Sequence, residues 1–167
     1  MSSARLRNSL LTARDRRQTI MEQQLQACSP TTLMLSLNLP GPDKNPPGAE
    51  ALFLGMLESL AADFPDRVIL VRESDPLGHW ALIGLDRNAA DVKRHCMALE
   101  EALPAGRLVD LDVFDRLGKQ ISRSALGLSQ RTCLVCQQPA VDCIRLARHS
   151  AAALSEKRDE LLAHFRD

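Results

Sequence analysis

Two groups of residues in this chain have the types and spacing to do chemistry. The first is Asp110-x-Asp112, set in Gly106-Arg107-Leu108-Val109-Asp110-Leu111-Asp112-Val113. In an extended strand, alternation puts both carboxylates on one face while Val109, Leu111 and Val113 point to the other. Paired carboxylates suit a hard divalent cation such as Mg²⁺, which takes its remaining ligands from water and substrate phosphates. The spacing alone is equally compatible with two solvated acids on an exposed strand face.

The second group is Cys133-x-x-Cys136, followed by Cys143 and His149. These are the ligand types of a Cys₃His zinc site, and the first pair has knuckle spacing. Residues 140 to 166 read as one helix, however, and six helical residues turn Cys143 and His149 about 600° apart. That argues against a shared ion and ranks packing cysteines first, with structural zinc and a redox thiol as alternatives.

Several elements must position these groups. Residues 4 to 27 lack Pro and Gly and space Leu6, Leu10, Leu11, Ile20, Met21 and Leu25 for a helix, with a break near Thr12 to Asp15. Thr31 to Leu39 reads as a strand, and Pro40 to Gly48, with four prolines and two glycines, as a loop. A helix over 49 to 63, strands over 67 to 73 and 80 to 85 around a turn at Ser74 to Gly78, and a helix over 88 to 103 follow. Then come the acid-bearing strand, a turn at Asp115 to Gly118, a short returning strand through Ser122 and a cysteine loop. The fold class is α+β: a ferredoxin-like β-α-β-β-α-β core of mainly antiparallel sheet over 31–114, flanked by an N-terminal helix (1–28), the short extra strand and a C-terminal helix. Within it the last strand pairs antiparallel with the first, bringing Lys44 toward the end where Gly106 and Arg107 enter the acid strand. The 167 residues fit one domain.

Composition narrows the functions. Aromatic residues are 3% and Tyr is absent, which argues against stacking platforms for single-stranded nucleic acid. Net charge is zero, yet residues 1–20 and residues 119–149 each carry +4. Such segments suit a phosphorylated substrate or an acidic carrier, because guanidinium groups grip phosphate oxygens in pairs. No run of about eighteen apolar residues occurs, so no membrane partner is expected and the chain reads as cytoplasmic. The five cysteines fit reduced thiols better than a disulfide framework.

The same motifs carry a resemblance. Gly-Arg-Leu-x-Asp-x-Asp-Val at 106 to 113, Ser122-Arg123, and Arg131-x-Cys133-Leu134-x-Cys136 with Cys143, Arg145 and His149 are joined upstream by Arg14-Asp15-x-Arg17-Gln18 and Pro40-Gly41-Pro42-x-Lys44. In this order they resemble the apo-citrate lyase phosphoribosyl-dephospho-CoA transferases. The resemblance implies a nucleotidyltransferase-type holo-citrate lyase synthase. Its reaction moves the phosphoribosyl-dephospho-CoA group of triphosphoribosyl-dephospho-CoA onto a serine of the citrate lyase acyl carrier protein and releases pyrophosphate. Asp110 and Asp112 are then the expected catalytic pair and Mg²⁺ ligands, with Arg107, Lys44, Arg14, Arg17 and Arg123 as phosphate binders. Asp43 and Glu73 are candidates for a third carboxylate. Zinc on Cys133, Cys136, Cys143 and His149 ranks behind Mg²⁺.

The chain departs from the family pattern at Val109, where an aromatic residue is expected, and at Ser124, where a second base often follows Ser-Arg. Ala51, Leu52 and Phe53 stand at a helix start expected to be more basic, and the turn at 74 to 78 is short. Two rival readings stay open. One is a non-catalytic ferredoxin-like module that binds a ligand or partner, and the other is a small zinc-binding adaptor.

Overall fold

The structure, a computed structural model, describes residues 3–25 and 29–166. The parts of the expected N-terminal helix at residues 1, 2 and 26–28 lie outside the described residues. Helix α1 spans Ser3–Leu25. It runs unbroken through Thr12 to Asp15, where a break was expected, because nothing in that stretch removes a backbone donor or frees the backbone as Pro or Gly would.

Strand β1 (Thr31–Leu37), helix α2 (Ala49–Asp63), strands β2 (Val68–Asp75) and β3 (Gly78–Leu85), helix α3 (Ala89–Ala102) and strand β4 (Val109–Asp115) follow. The class is α+β, and the four strands form one antiparallel sheet in the order β2-β3-β1-β4. The last strand pairs antiparallel with the first, as expected, in a register that sets Ser36 against Asp110 and Met34 against Asp112.

Alternation along β1 and β4 sorts the two faces. Leu33, Leu35, Leu37, Val109, Leu111 and Val113 enter the main core with Leu52, Phe53 and Met56 of α2 and Val92 of α3. On the other face Trp80, Leu82 and Phe114 pack with Met21 of α1. Burying side chains of this size gives roughly 1.5–3 kcal/mol each, which makes a one-residue slip of β4 prohibitive.

Three further expectations are corrected. Gly106 and Arg107 do not enter the acid strand but lie in a 3₁₀ turn, Pro104–Leu108, that precedes it. Pro104 starts that turn, and a Cβ on Gly106 would fall 2.2 Å from the Glu100 carbonyl oxygen, so only glycine fits. The returning strand after the turn at 115–118 reduces to a single bridge, Gln120 to Phe114. The reason is that α3 already occupies the outer edge of β4. Glu100 accepts the Leu111 N–H (3.0 Å) and Lys93 donates to the Leu111 carbonyl (2.6 Å), leaving only the far end of the strand to pair.

Finally, the helix expected over 140–166 is two helices, α4 (Ala140–Arg145) and α5 (Ala151–Leu162), with a 3₁₀ turn at Ala163–Phe165. Ala147 takes a left-handed backbone (φ 44°), and the Ser150 hydroxyl caps the restart by accepting the Ala153 N–H at 3.1 Å. That corner redirects the chain between Cys143 and His149.

Candidate functional site

Asp110 and Asp112 occupy neighbouring outward positions on β4, half-buried in a hollow of about 210 Å³ shared with Lys93, Glu100, Gln120, Arg123 and Arg131. Burial pushes Asp110 up to about 6, helped by the charge of Asp112 and opposed by Arg131. Burial raises Asp112 as well, against the pull of Lys93 and the Gln120 amide, which donates to it at 2.7 Å. Two carboxylates held close in a partly dry site raise one another in this way, and a cation placed between them would relieve it.

Beside the pair lies a cluster of guanidinium groups. Arg131 donates to Asp110 (3.2 Å) and to the carbonyls of Val109 and Gly106. Arg123 bonds Glu100 at 2.7 Å and Glu101 at 3.0 Å. Arg107 is half-buried, and burial followed by the charges of Arg131 and Arg123 holds it below its usual range. Its Nε has no hydrogen-bond partner. All three line a cleft of about 660 Å³ with Lys157, faced by only two acids, Glu100 and Glu101. Arg123 and Arg131 are held by Glu100, Glu101 and Asp110, and guanidinium groups clustered in this way have the donor geometry that suits phosphate oxygens.

Glu100 holds this arrangement together. Its side chain is 4% exposed, and it touches the Leu111 N–H, Arg123 and, at 3.7 Å, Arg131. Sequence reasoning missed Glu100 and Lys93 as site-forming residues, although their spacing of seven puts them on one face of α3. Arg131 stood inside a quoted motif without a role.

The other expected phosphate binders sit elsewhere. Arg17 is buried, makes two 2.8 Å bonds to Asp75, donates to the Gly78 carbonyl and lies over the Trp80 ring. Arg14 is exposed on α1 and lines neither the cleft nor the hollow. Lys44 donates to the Leu39 carbonyl, and burial and then Arg158 lower its pKa. Glu73 pairs with Arg16 on β2, the edge strand farthest from β4, so it cannot supply a third carboxylate to the acid pair.

The thiols converge despite the expected separation. The ligand atoms of Cys133, Cys136, Cys143 and His149 all lie within 4.8 Å of one another, a group that could hold a metal ion. These three cysteines are free thiols. A second hollow, of about 450 Å³, touches Cys133, Cys143 and His149 and shares Arg107 and Arg131 with the cleft.

Residues 6–165 match the family described as apo-citrate lyase phosphoribosyl-dephospho-CoA transferase. The chain belongs to that family. It is 35% identical over 157 residues to the Haemophilus influenzae protein named CitXG, covering 92% of this chain and 34% of that protein. To a Streptococcus pyogenes protein named as a probable transferase of this family it is 33% identical over 138 residues, covering 80% of this chain and 72% of the relative. A Vibrio cholerae protein of the same name is 45% identical over 74 residues, which cover 44% of this chain and 42% of that protein. The chain spans about a third of the length of the CitXG proteins from Haemophilus influenzae and Leuconostoc mesenteroides. No helix among the described residues is long and apolar enough to cross a membrane.

Proposed function

We propose that this chain is a nucleotidyl-type transferase that moves phosphoribosyl-dephospho-CoA from triphosphoribosyl-dephospho-CoA to a serine of the citrate lyase acyl carrier protein. The observation that carries the reading is the juxtaposition on one edge of the sheet. A carboxylate pair with Asp110 raised to about 6 adjoins a cleft lined by Arg107, Arg123 and Arg131. The family membership supplies the substrate class.

In the reaction, the serine oxygen forms a bond to the phosphorus nearest the ribose. The bond from that phosphorus to the bridging oxygen breaks, and pyrophosphate leaves with its electron pair. Arg107 and Arg131 hold the phosphate oxygens and offset charge as it builds on the leaving pyrophosphate. Arg123, fixed by Glu100 and Glu101, closes the cleft. Asp110, raised to about 6 by burial and so into the range of useful bases, accepts the serine proton. The two aspartates are also the residues that would hold Mg²⁺, and their adjacency and mutual repulsion fit a divalent cation. When bound, Mg²⁺ neutralises phosphate charge and lowers the barrier to deprotonation. The cytoplasm, where coenzyme A derivatives are available, is the proposed location.

The test is the intact mass of apo acyl carrier protein after incubation with this chain, the donor and Mg²⁺, with an EDTA control. A metal-dependent gain equal to the prosthetic group supports the reading. No gain with a donor that works with a known transferase overturns it.

A further inference from the structure

We propose that Cys133, Cys136, Cys143 and His149 bind one zinc ion as a structural site that fixes the arginine cleft. Three observations point there. The spacing admits a tetrahedral site: Cys136 Sγ to Cys143 Sγ is 3.5 Å, His149 Nε2 to Cys136 Sγ is 3.3 Å, and all four ligand atoms lie within 4.8 Å of one another. Zinc with Zn–S of about 2.3 Å and Zn–N of about 2.0 Å sets its sulfurs about 3.8 Å apart and its nitrogen about 3.5 Å from each sulfur. A disulfide instead needs its sulfurs about 2.0 Å apart.

The loop also has the form of a knuckle. The Cys133 N–H donates to the Gln138 carbonyl, the Ala140 N–H donates back to Arg131, and the Val135 N–H points at Cys133 Sγ at 3.5 Å. An N–H aimed at a ligand sulfur is an outer contact that orients it. Three thiols and an imidazole nitrogen gathered within 4.8 Å of one another make the donor set of a single ion.

Residues 116–139, finally, have almost no core of their own. Their only helical piece is the 3₁₀ turn Ser124–Leu126, Cys133 is their only buried residue, and Leu117 is 83% exposed. So long a connection that packs on the main core through little more than Ile121 and Leu134 is uncommon in a compact domain. An ion bound by the loop, α4 and the α4–α5 corner supplies the cross-link that packing does not. A donor set of three sulfurs and one imidazole selects zinc over oxygen-seeking cations. Arg131 lies two residues before Cys133, so the same ion fixes the guanidinium that contacts Asp110.

The test is zinc content of the full chain purified under reducing conditions, together with titration of the metal-stripped chain with Co²⁺. The expected result is about one zinc per chain and tetrahedral cobalt absorption with thiolate-to-metal charge transfer. Cys136→Ser and His149→Ala should each lower the zinc content and alter the cobalt spectrum, while Cys96→Ala, at a core position remote from the cluster, should change neither. A metal-free chain whose cobalt titration shows no charge-transfer band would overturn the proposal. So would full zinc retention in Cys136→Ser, or a native chain lighter by two hydrogens from a Cys136–Cys143 disulfide. The cobalt titration uses the unmutated chain, so a variant that fails to fold does not remove the test. These readouts also stand apart from transfer, so they decide the metal site whatever the reaction proves to be.

Discussion

Asp110 and Asp112 are placed by strand geometry, whereas Cys133, Cys136, Cys143 and His149 are placed by a break in a helix. The acids sit two residues apart on β4, where period-two alternation fixes their common face once Val109, Leu111 and Val113 are buried. The thiol group needs a left-handed Ala147 and a restart at Ser150 before its ligands can meet. One arrangement is local and redundant, supported by the register of the whole sheet. The other depends on a few backbone angles. A site of the first kind survives imperfect packing around it, while a site of the second kind needs something to lock it.

That contrast can be broken first at Glu100, which ties the sheet edge to the arginines. Glu100→Ala leaves the Leu111 N–H unsatisfied and removes the buried one of the two carboxylates that hold Arg123, and should cost about 3 kcal/mol, or roughly 10 °C in Tm. Thermal unfolding checks this, and a loss under 1 kcal/mol would mean the edge is not held as described.

Arg107 should behave in the opposite way, since its charge is opposed by Arg131 and Arg123 in the free protein. Arg107→Ala is expected to leave Tm unchanged or raise it slightly, yet to weaken donor binding by about 2 kcal/mol, close to thirtyfold. Calorimetric titration with the donor separates the two effects, and a lowered Tm with unchanged affinity would make Arg107 structural.

A smaller effect is expected with pH. Because the folded chain holds the Asp110 proton more tightly than the unfolded chain does, stability without metal should fall as pH rises from 3.8 through about 6. Protons compete with Mg²⁺ for the same oxygens, so Mg²⁺ affinity should drop about tenfold per unit below that pH. Titrating Mg²⁺ at several pH values checks the slope, and a flat profile would separate Asp110 from the metal.

The smallest effect tests the corner. Ala147→Gly relieves the left-handed strain at some entropic cost and should stabilise the chain by about 0.5 kcal/mol, whereas Ala147→Val should destabilise it. Denaturant midpoints distinguish them, and equal midpoints would mean that Ala147 does not set the break.

What could be read from the chain follows the same division. The acid strand, a helix beginning near residue 88 and the pairing of the last strand with the first were legible, because alternation and helical spacing are local signals. Arg107 and Arg123 were expected as phosphate binders, and both line the cleft beside Arg131. Arg17, however, was drawn to Asp75 and Trp80, contacts that only the sheet and α1 together create. Glu100 and Lys93 were invisible as site residues because their role is to satisfy the backbone of a strand edge whose position the sequence does not state. The convergence of the cysteines was misread because Ser150, a good cap inside an otherwise helical stretch, was passed over.

The central claim is that the β4 acids carry the transfer, and single-turnover transfer by Asp110→Asn tests it most directly. The substitution keeps the size and removes the charge, with circular dichroism to confirm the fold. The account predicts a loss of at least about a hundredfold with an unchanged spectrum. A folded Asp110→Asn chain that transfers at the native rate would contradict it.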